Sequence, residues 1–193
     1  MTKILFIGNS YTFFNDMPKI FERICGERGK DVAADSITCG GYTLAHFVSE
    51  ENEYGVRMRK MLSEGGYGYA VMQEQSIRPA NQPETFISSA KKLADIVRSY
   101  GAEPVLYETW ARADGSDTLE KFNWTRDEMQ SLLRQAYERA AEDIGARLVY
   151  AGERVSEAYK NGEDVICVDK SHPTLRGSEI IAEEFYRALE DIL

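Results

Sequence analysis

The run Ile4–Ile7, close to the N-terminus, constrains the fold of this chain more than any other feature of its sequence. Four consecutive large apolar residues are typical of a strand that is buried on both faces, as at the centre of a parallel sheet. Gly8 permits a sharp turn after this strand, and Ser10 follows at its carboxyl end, where ligands bind in open α/β sheets. Ser10 is therefore a candidate nucleophile, although Gly8-Asn9-Ser10 is also typical of an ordinary turn before a helix.

Strand-like and helix-like segments alternate along the rest of the chain. Further short apolar strands are predicted at residues 31–38, 69–72, 105–107 and 147–150. Helices are predicted where apolar residues recur with the helical period, at residues 17–28, 83–100, 125–144 and 153–160 and from Pro173 to the C-terminus. This alternation indicates βαβ units, so the predicted fold is a three-layer α/β/α sandwich around a five-stranded parallel sheet, of flavodoxin-like type. No repeat or linker interrupts the pattern, so residues 1–193 are predicted to form a single domain.

The helix predicted after residue 124 has the clearest boundaries in the chain. Thr125 and Glu128 form a capping box at its start, and Gly145 closes it. The stretch before it, residues 111–122, is polar and is predicted to be a loop. A loop in that position is a candidate lid over a site at the sheet edge.

The charge balance of the chain limits its partners. The net charge is −9, from 23 basic and 32 acidic side chains, and the basic residues form no cluster. This composition argues against nucleic acid or an anionic membrane as the main partner. A local site can still bind an anion, so the argument concerns partners more than substrates.

The sequence also predicts where the protein works. It shows no secretory signal pattern and no apolar run near the roughly 18 residues that span a bilayer, so a cytoplasmic location is predicted. A mature chain whose signal had been removed would look the same. The three cysteines, Cys25, Cys39 and Cys167, are widely spaced and form no Cys-x-x-Cys pair. They are predicted to be reduced thiols that fill the core.

A partner for Ser10 is easily sought, because the chain has only two histidines. His172 lies in the segment Asp169–Pro173, directly before the last predicted helix. An acid three residues ahead of a histidine in a tight turn can reach its Nδ1, which leaves Nε2 free to accept a proton from a serine. The alternative is a polar loop in which Asp169 or Ser171 merely caps the helix.

The order Ser…Asp…His along the chain resembles that of the SGNH (GDSL-type) hydrolase superfamily, over essentially the whole sequence. The family's Gly-Asp-Ser block reads Gly8-Asn9-Ser10 here, and its final Asp-x-x-His block is matched by Asp169 and His172. The resemblance implies that Ser10 is the nucleophile, His172 the general base and acid, and Asp169 the carboxylate that orients the histidine. The family's second block supplies a glycine whose N–H faces the oxyanion, together with the N–H of the nucleophile, and Gly41 matches it best.

The third block departs from the family pattern. The family has Gly-x-Asn-Asp at the end of the third strand, where this chain has Gln73-Glu74-Gln75-Ser76. Gln75 falls at the asparagine position and carries the same amide donor on a side chain one methylene longer, so it is the predicted third oxyanion donor. Gln73 is the alternative donor. A third possibility is that both glutamines only bond loop backbone.

Four further polar or aromatic residues lie close to the predicted site in the sequence pattern. His46 is the only rival base, but it has no carboxylate three residues away, and a structural role is favoured. Tyr42 and Trp110 follow the ends of predicted segments and are candidates for substrate binding, with packing roles equally open. Glu108 is expected to pair with a neighbouring base rather than to take part in catalysis.

Other kinds of site are disfavoured by the motifs that the chain lacks. It has no phosphate-binding glycine loop, no dinucleotide fingerprint and no Gly-x-Ser-x-Gly elbow. Two histidines and scattered cysteines make a zinc site improbable. We therefore expect neither a cofactor nor a metal.

Together, the motifs and the resemblance predict a serine esterase that cleaves a small acyl ester, with a small-molecule ester as its partner. An acetylated carbohydrate is favoured over a long-chain lipid, because no long apolar segment suggests a lipid tunnel. Alternatives left open are a lysophospholipase- or thioesterase-type member of the same superfamily and a non-catalytic flavodoxin-like module that binds a small molecule. A degenerate hydrolase kept as an interaction protein is also conceivable, given the third block. The sequence leaves the oligomeric state open.

Overall fold

A five-stranded parallel sheet organises the computed structural model, which describes residues 1–193. The strands are β1 (Thr2–Gly8), β2 (Val32–Thr38), β3 (Tyr69–Met72), β4 (Glu103–Tyr107) and β5 (Arg147–Val149). Their order in the sheet is β2-β1-β3-β4-β5, which is the flavodoxin-like order. The predicted α/β/α sandwich around a parallel sheet is confirmed.

Helices connect the strands and cover both faces of the sheet. The helices are α1 (Ser10–Phe13), α2 (Met17–Glu27), α3 (Leu44–Val48), α4 (Glu53–Gly65), α5 (Arg78–Asn81), α6 (Pro83–Ser99), α7 (Asp117–Phe122), α8 (Arg126–Ile144), α9 (Ala151–Lys160) and α10 (Leu175–Leu189). One face of the sheet is covered by α2, α9 and α10, and the other by α3, α4, α6 and α8. None of them combines the length and the apolar character that crossing a bilayer requires.

Strand β1 lies between β2 and β3, and its apolar run is fully buried. Ile4 and Phe6 point into the core beneath α2 and α10, whereas Leu5 and Ile7 point into the core on the opposite face. Successive side chains of a strand alternate between its two faces. An uninterrupted apolar run is therefore what a doubly covered strand needs.

An aromatic cluster fills the core on the α2 and α10 side. The ring of Phe185 lies edge-on to three others, with centroids 5.2 Å from Phe6, 6.0 Å from Phe21 and 5.0 Å from Tyr107. Edge-to-face packing at these distances stabilises a core beyond the area it buries. Phe185 thereby joins α10 to α2 and to two strands of the sheet.

The structure corrects the boundaries and roles expected for several segments. The stretch 111–122 is not a polar loop, because its first three residues are buried and α7 forms within it. The last helix begins at Leu175, capped by Thr174, rather than at Pro173. The capping box of Thr125 and Glu128 is confirmed.

All three cysteines are free thiols, but they do not share one environment. Cys25 is fully buried in the core, and burial raises the pKa of its thiol to about 11. Cys39 and Cys167 are partly exposed. The expectation that the cysteines fill the core is therefore confirmed for Cys25 and wrong for the other two.

Replacing Phe185 by alanine should lower the free energy of unfolding by about 3–5 kcal/mol, because it leaves a cavity where three aromatic rings meet. Urea denaturation followed by circular dichroism measures this loss. Val56→Ala is the control, since Val56 is 53% exposed and should change stability by no more than about 0.5 kcal/mol. A Phe185 variant as stable as the Val56 variant would contradict the packing described here.

Candidate active site

Ser10 is the first residue of α1, directly beyond the end of the central strand. Asn9 caps this short helix, because its Oδ1 accepts a hydrogen bond from the Tyr11 N–H at 3.1 Å. The Asn9 amide nitrogen also donates to the Tyr42 carbonyl at 2.8 Å. Asn9 therefore ties the turn to its own backbone and fixes it to the next loop as well.

Ser10, His172 and Asp169 form one hydrogen-bonded line. The Ser10 Oγ lies 2.8 Å from His172 Nε2, and His172 Nδ1 lies 2.6 Å from Asp169 Oδ2. A carboxylate at Nδ1 favours the tautomer that carries its proton there. His172 Nε2 is then the acceptor for the serine hydroxyl, which is the arrangement that proton removal from Ser10 requires.

Asp169 is held as a carboxylate by its own tight turn. Its Oδ1 accepts the backbone N–H groups of Ser171 and His172, both at 3.0 Å. Burial by itself would raise the pKa of Asp169, but the hydrogen bonds from the His172 ring and from these two N–H groups together lower it. The spacing of three residues thus lets one acid orient the histidine and order the loop.

The His172 ring is fixed from its flanks as well as along its hydrogen bonds. Phe14 stacks on it with a centroid distance of 4.1 Å and an angle of 9° between the planes. The Tyr11 ring is tilted against it at 5.7 Å. The His172 carbonyl accepts the Cys167 N–H at 2.8 Å. These contacts limit the rotation that would carry Nε2 away from Ser10.

The segment that follows β4 braces the loop of Asp169 and His172. Trp110 Nε1 donates to the Ser171 carbonyl at 3.0 Å, and the Ala113 N–H donates to the Lys170 carbonyl at 3.0 Å. Trp110 is fully buried and stacks on Tyr11 at 4.3 Å. Of the two roles left open for Trp110, these contacts support packing, because the buried indole presents no face to a ligand.

Arg112 links three parts of the site. Its guanidinium donates through Nη1 to the Tyr11 hydroxyl and through Nη2 to Ser76 Oγ at 2.9 Å. The Tyr11 hydroxyl in turn shares a hydrogen bond with Ser171 Oγ at 3.0 Å. Arg112 is only 9% exposed, so this brace is internal to the protein. The first three residues of the segment proposed as a candidate lid, 111–113, are thus part of a buried support.

Three candidate oxyanion donors are free of other partners. The backbone N–H groups of Ser10 and Gly41 make no hydrogen bond within the protein. Gly41 has φ +74°, a conformation that favours glycine. Gln75 Oε1 accepts the N–H groups of Ile77 and Arg78 at 3.0 and 3.2 Å, and its amide nitrogen has no protein partner.

Gln73, the alternative donor, is built into the scaffold instead. It is fully buried, and its Oε1 accepts the Asn9 N–H at 2.8 Å and the Thr12 hydroxyl at 3.0 Å. Its amide nitrogen donates to the Glu74 carbonyl. These contacts favour Gln75 over Gln73 as the amide donor.

The side chain of Gln73 also explains Gly8. A Cβ at Gly8 would lie 2.5 Å from Gln73 Oε1 and 2.5 Å from Thr12 Oγ1, which is well inside contact distance. Glycine is therefore required by the close approach of two side chains, whereas the sequence suggested a sharp turn.

The remaining candidates lie outside the hydrogen-bonded line. His46 is exposed, and its Nδ1 accepts the Thr43 N–H at 3.1 Å, so its contacts are those of a helix cap. Tyr42 is partly buried and stacks on His46 at 4.3 Å. Glu108 is fully buried, and burial raises its pKa to about 8.

The expected pairing of Glu108 with a base is wrong. Its oxygens accept the Gln130 side-chain amide and the Glu153 backbone N–H, both at 3.1 Å. Amide donors satisfy a carboxyl group without burying a second charge. No group of three or more His, Cys, Asp or Glu side chains is arranged to hold a metal ion.

Comparison with known proteins relates the fold of this chain to that of solved structures. No family model and no curated protein matches the chain. Among solved structures, a candidate SGNH hydrolase from Slackia heliotrinireducens is 28% identical, covering 97% of this chain and 98% of its own, with a TM-score of 0.86. This chain has the SGNH hydrolase fold.

More distant structures share the fold. A DUF4886 family protein from Bacteroides uniformis is 17% identical over 98% of this chain and 83% of its own, with a TM-score of 0.85. TesA is 16% identical over 100% of both chains, with a TM-score of 0.75. Structures described as lipases and an esterase match at 12% to 16% identity and show the fold alone. The resemblance to the SGNH (GDSL-type) hydrolases is thereby confirmed.

Several residues that support the site of this SGNH fold were not predicted from the sequence. Phe14, Tyr11 and Arg112 carry no motif, and their contacts with the site are made across long stretches of chain. The one signal in the sequence is that Arg112 is a charged residue between two small apolar ones, Ala111 and Ala113. Glu74, between the two glutamines, was passed over as well.

Asp169→Asn should reduce stability at pH 7 and have a smaller effect at pH 3. Because the folded-state pKa of Asp169 is lowered, its ionised form stabilises the fold above the unfolded pKa of about 3.9, and the gain is lost as pH falls through the folded value. The side chain is 46% exposed, so we expect a difference of at most about 1 kcal/mol.

Urea denaturation of the parent and the variant at both pH values measures this effect. Asp164→Asn is the matched control, because Asp164 is exposed and its carboxylate makes no hydrogen bond. A loss that does not change with pH would mean that the charge of Asp169 is not its cause.

Proposed function

We propose that this chain is a serine esterase, with Ser10 as the nucleophile, His172 as the general base and acid, and Asp169 as the residue that orients the histidine. One observation carries the proposal. The contacts Ser10 Oγ–His172 Nε2 at 2.8 Å and His172 Nδ1–Asp169 Oδ2 at 2.6 Å join the residues that proton removal and nucleophilic attack need.

The proposed reaction has two stages. His172 takes the hydroxyl proton of Ser10 as Oγ attacks the ester carbonyl, and the carbonyl π electrons move to the oxygen. The tetrahedral intermediate collapses, its bond to the alcohol oxygen breaks, and His172 gives the proton to the departing alcohol. His172 then removes a proton from water as the water oxygen attacks the acyl-enzyme carbonyl. The second tetrahedral intermediate collapses, its bond to Ser10 Oγ breaks, and His172 returns the proton to Oγ as the acid leaves.

The negative oxygen of the intermediate needs donors that are not already used. We assign this role to the N–H groups of Ser10 and Gly41 and to the amide nitrogen of Gln75. The support for the assignment is that none of the three has a protein acceptor. The removal of one such donor typically costs ~10²–10³ in turnover.

For the substrate we propose a small acyl ester, with an acetylated carbohydrate as one candidate. Phe13 is 40% exposed, and its ring lies 5.9 Å from Phe14, which covers His172. This gives a limited apolar surface beside the reacting groups, in keeping with a short acyl chain. Tyr42, partly buried beside Gly41, is proposed to contact the substrate.

Ser10→Ala should remove hydrolysis of p-nitrophenyl acetate and butyrate, lowering kcat/KM by at least about a thousandfold, because no other hydroxyl replaces the nucleophile. The parent should also be labelled at Ser10 by a fluorophosphonate. Ser99→Ala is the control, because the Ser99 hydroxyl bonds only the Ile96 carbonyl on the exposed end of α6.

The outcomes separate the candidate functions. Hydrolysis of acetate over butyrate supports the small-acyl esterase, whereas a preference for longer esters or thioesters supports the lysophospholipase or thioesterase alternative. If the parent neither hydrolyses these esters above the Ser10→Ala background nor takes the label, the chain is not an esterase, and a binding or interaction role remains.

The two histidines provide an internal comparison. His172→Ala should lower kcat by about a thousandfold or more. His46→Ala should leave kcat within about twofold, since the hydrogen bonds of His46 are those of a helix cap and its ring stacks on Tyr42 rather than on the reacting groups. Rates on p-nitrophenyl acetate measure both effects, and a greater loss in the His46 variant would reverse the assignment.

A further inference from the structure

Glu74 is a buried carboxyl group that joins two loops of the site. It follows Gln73 at the end of β3 and is fully buried. Its Oε1 accepts the Gln75 N–H at 2.6 Å, and the Leu44 N–H approaches its two oxygens at 3.3 and 3.4 Å. Leu44 is the first residue of α3 and comes directly after the loop of Gly41.

Two further links close a circuit through the same loops. The Asn9 side chain donates to the Tyr42 carbonyl at 2.8 Å, and the Asn9 N–H donates to Gln73 Oε1 at 2.8 Å. The turn of the nucleophile is thus tied to the loop of Gly41 and to the third block. Glu74 supplies the remaining side of the circuit, between the loop of Gly41 and Gln75.

We propose that Glu74 is a positioning residue that holds the loop of Gly41 and the loop of Gln75 at a fixed separation, so that their donors face one oxyanion. The inference rests on the oxyanion role given to those donors under the proposed function. In this chain, whose third block departs from the family's Gly-x-Asn-Asp, the side chains of Gln73 and Glu74 link the turn of Ser10, the loop of Gly41 and Gln75.

The surroundings of Glu74 shift the titration of its carboxyl group from acid pH to near neutral pH. No cation lies within ion-pair distance of it. Burial raises its pKa to about 7, against the lowering effect of the Gln75 and Leu44 N–H groups and of the charge on Arg78. Tyr137 of α8 is the other titratable group that faces it, and its own pKa is raised far above neutrality, chiefly by burial.

Protonation would weaken the link that Glu74 makes. A carboxylate accepts hydrogen bonds through both oxygens, whereas the protonated acid places a donor on one of them. Below neutral pH the contact with Leu44 or with Gln75 should therefore loosen. Catalysis then depends on the deprotonation of Glu74 on the acid side of the profile.

Glu108 provides a matched control elsewhere in the fold. It is also fully buried, follows the adjacent strand β4, and has a pKa raised to about 8 by burial. Its oxygens are bonded to Gln130 of α8 and Glu153 of α9. A loss of buried charge that acts only through stability should affect both variants alike.

The test compares Glu74→Gln and Glu108→Gln with the parent on p-nitrophenyl acetate between pH 5 and 9. Glu74→Gln should lower kcat by about tenfold or more at pH 8 with KM within about threefold, because oxyanion donors act mainly in the transition state. Its acid limb should lack the ionisation of Glu74 that the parent shows. Glu108→Gln should keep the parent's pH profile and its kcat.

Glu74→Asp keeps the charge but shortens the reach by one methylene. It should also lower kcat while keeping an ionisable carboxyl group at this position, and it serves if Glu74→Gln does not fold, as judged by circular dichroism. A folded variant at position 74 with the parent's kcat and profile overturns the positioning role. If Ser10→Ala abolishes activity in the same assay, that outcome leaves the esterase standing; if Ser10→Ala is as active as the parent, the proposed function itself fails.

Discussion

The burial of β1 on both faces is the constraint on which the rest of the structure depends. Ile4 and Phe6 enter one core and Leu5 and Ile7 the other, so the strand is stable only between two other strands and beneath helices on each side. This places its carboxyl end in the middle of one sheet edge. Ser10 therefore stands where loops from several strands and from the far end of the chain can reach it.

The contact between Ser10 and His172 joins residues 162 positions apart, and a distance of 2.8 Å across such a span requires a rigid support. That support is layered. Asp169 orders the loop from within, Phe14 covers the imidazole, and the segment after β4 holds the loop through Trp110 and Arg112. The buried circuit around Glu74 and Gln73 fixes the other side of the site.

Much of this could be predicted from the sequence, and the errors have physical reasons. Strand β3 was predicted to the residue, because its apolar run is short and uninterrupted, but β4 begins earlier than predicted because Glu103 and Pro104 are not apolar enough to extend the pattern. The helix α7 was missed because its sequence is largely polar. The burial of Trp110 and the partners of Glu108 could not be predicted, because position at a strand end does not reveal whether a side chain turns towards solvent or into the core.

The sequence by itself determined the parallel α/β architecture and the pairing of Asp169 with His172, because apolar period, glycine and proline positions and a spacing of three residues are local properties. Only the tertiary structure decided that Ser10 meets His172, that Gln73 is part of the scaffold and that Glu74 bridges two loops. These depend on which side chains approach one another across the sheet edge. Such approaches follow from packing between distant segments, and no local pattern in the chain encodes them.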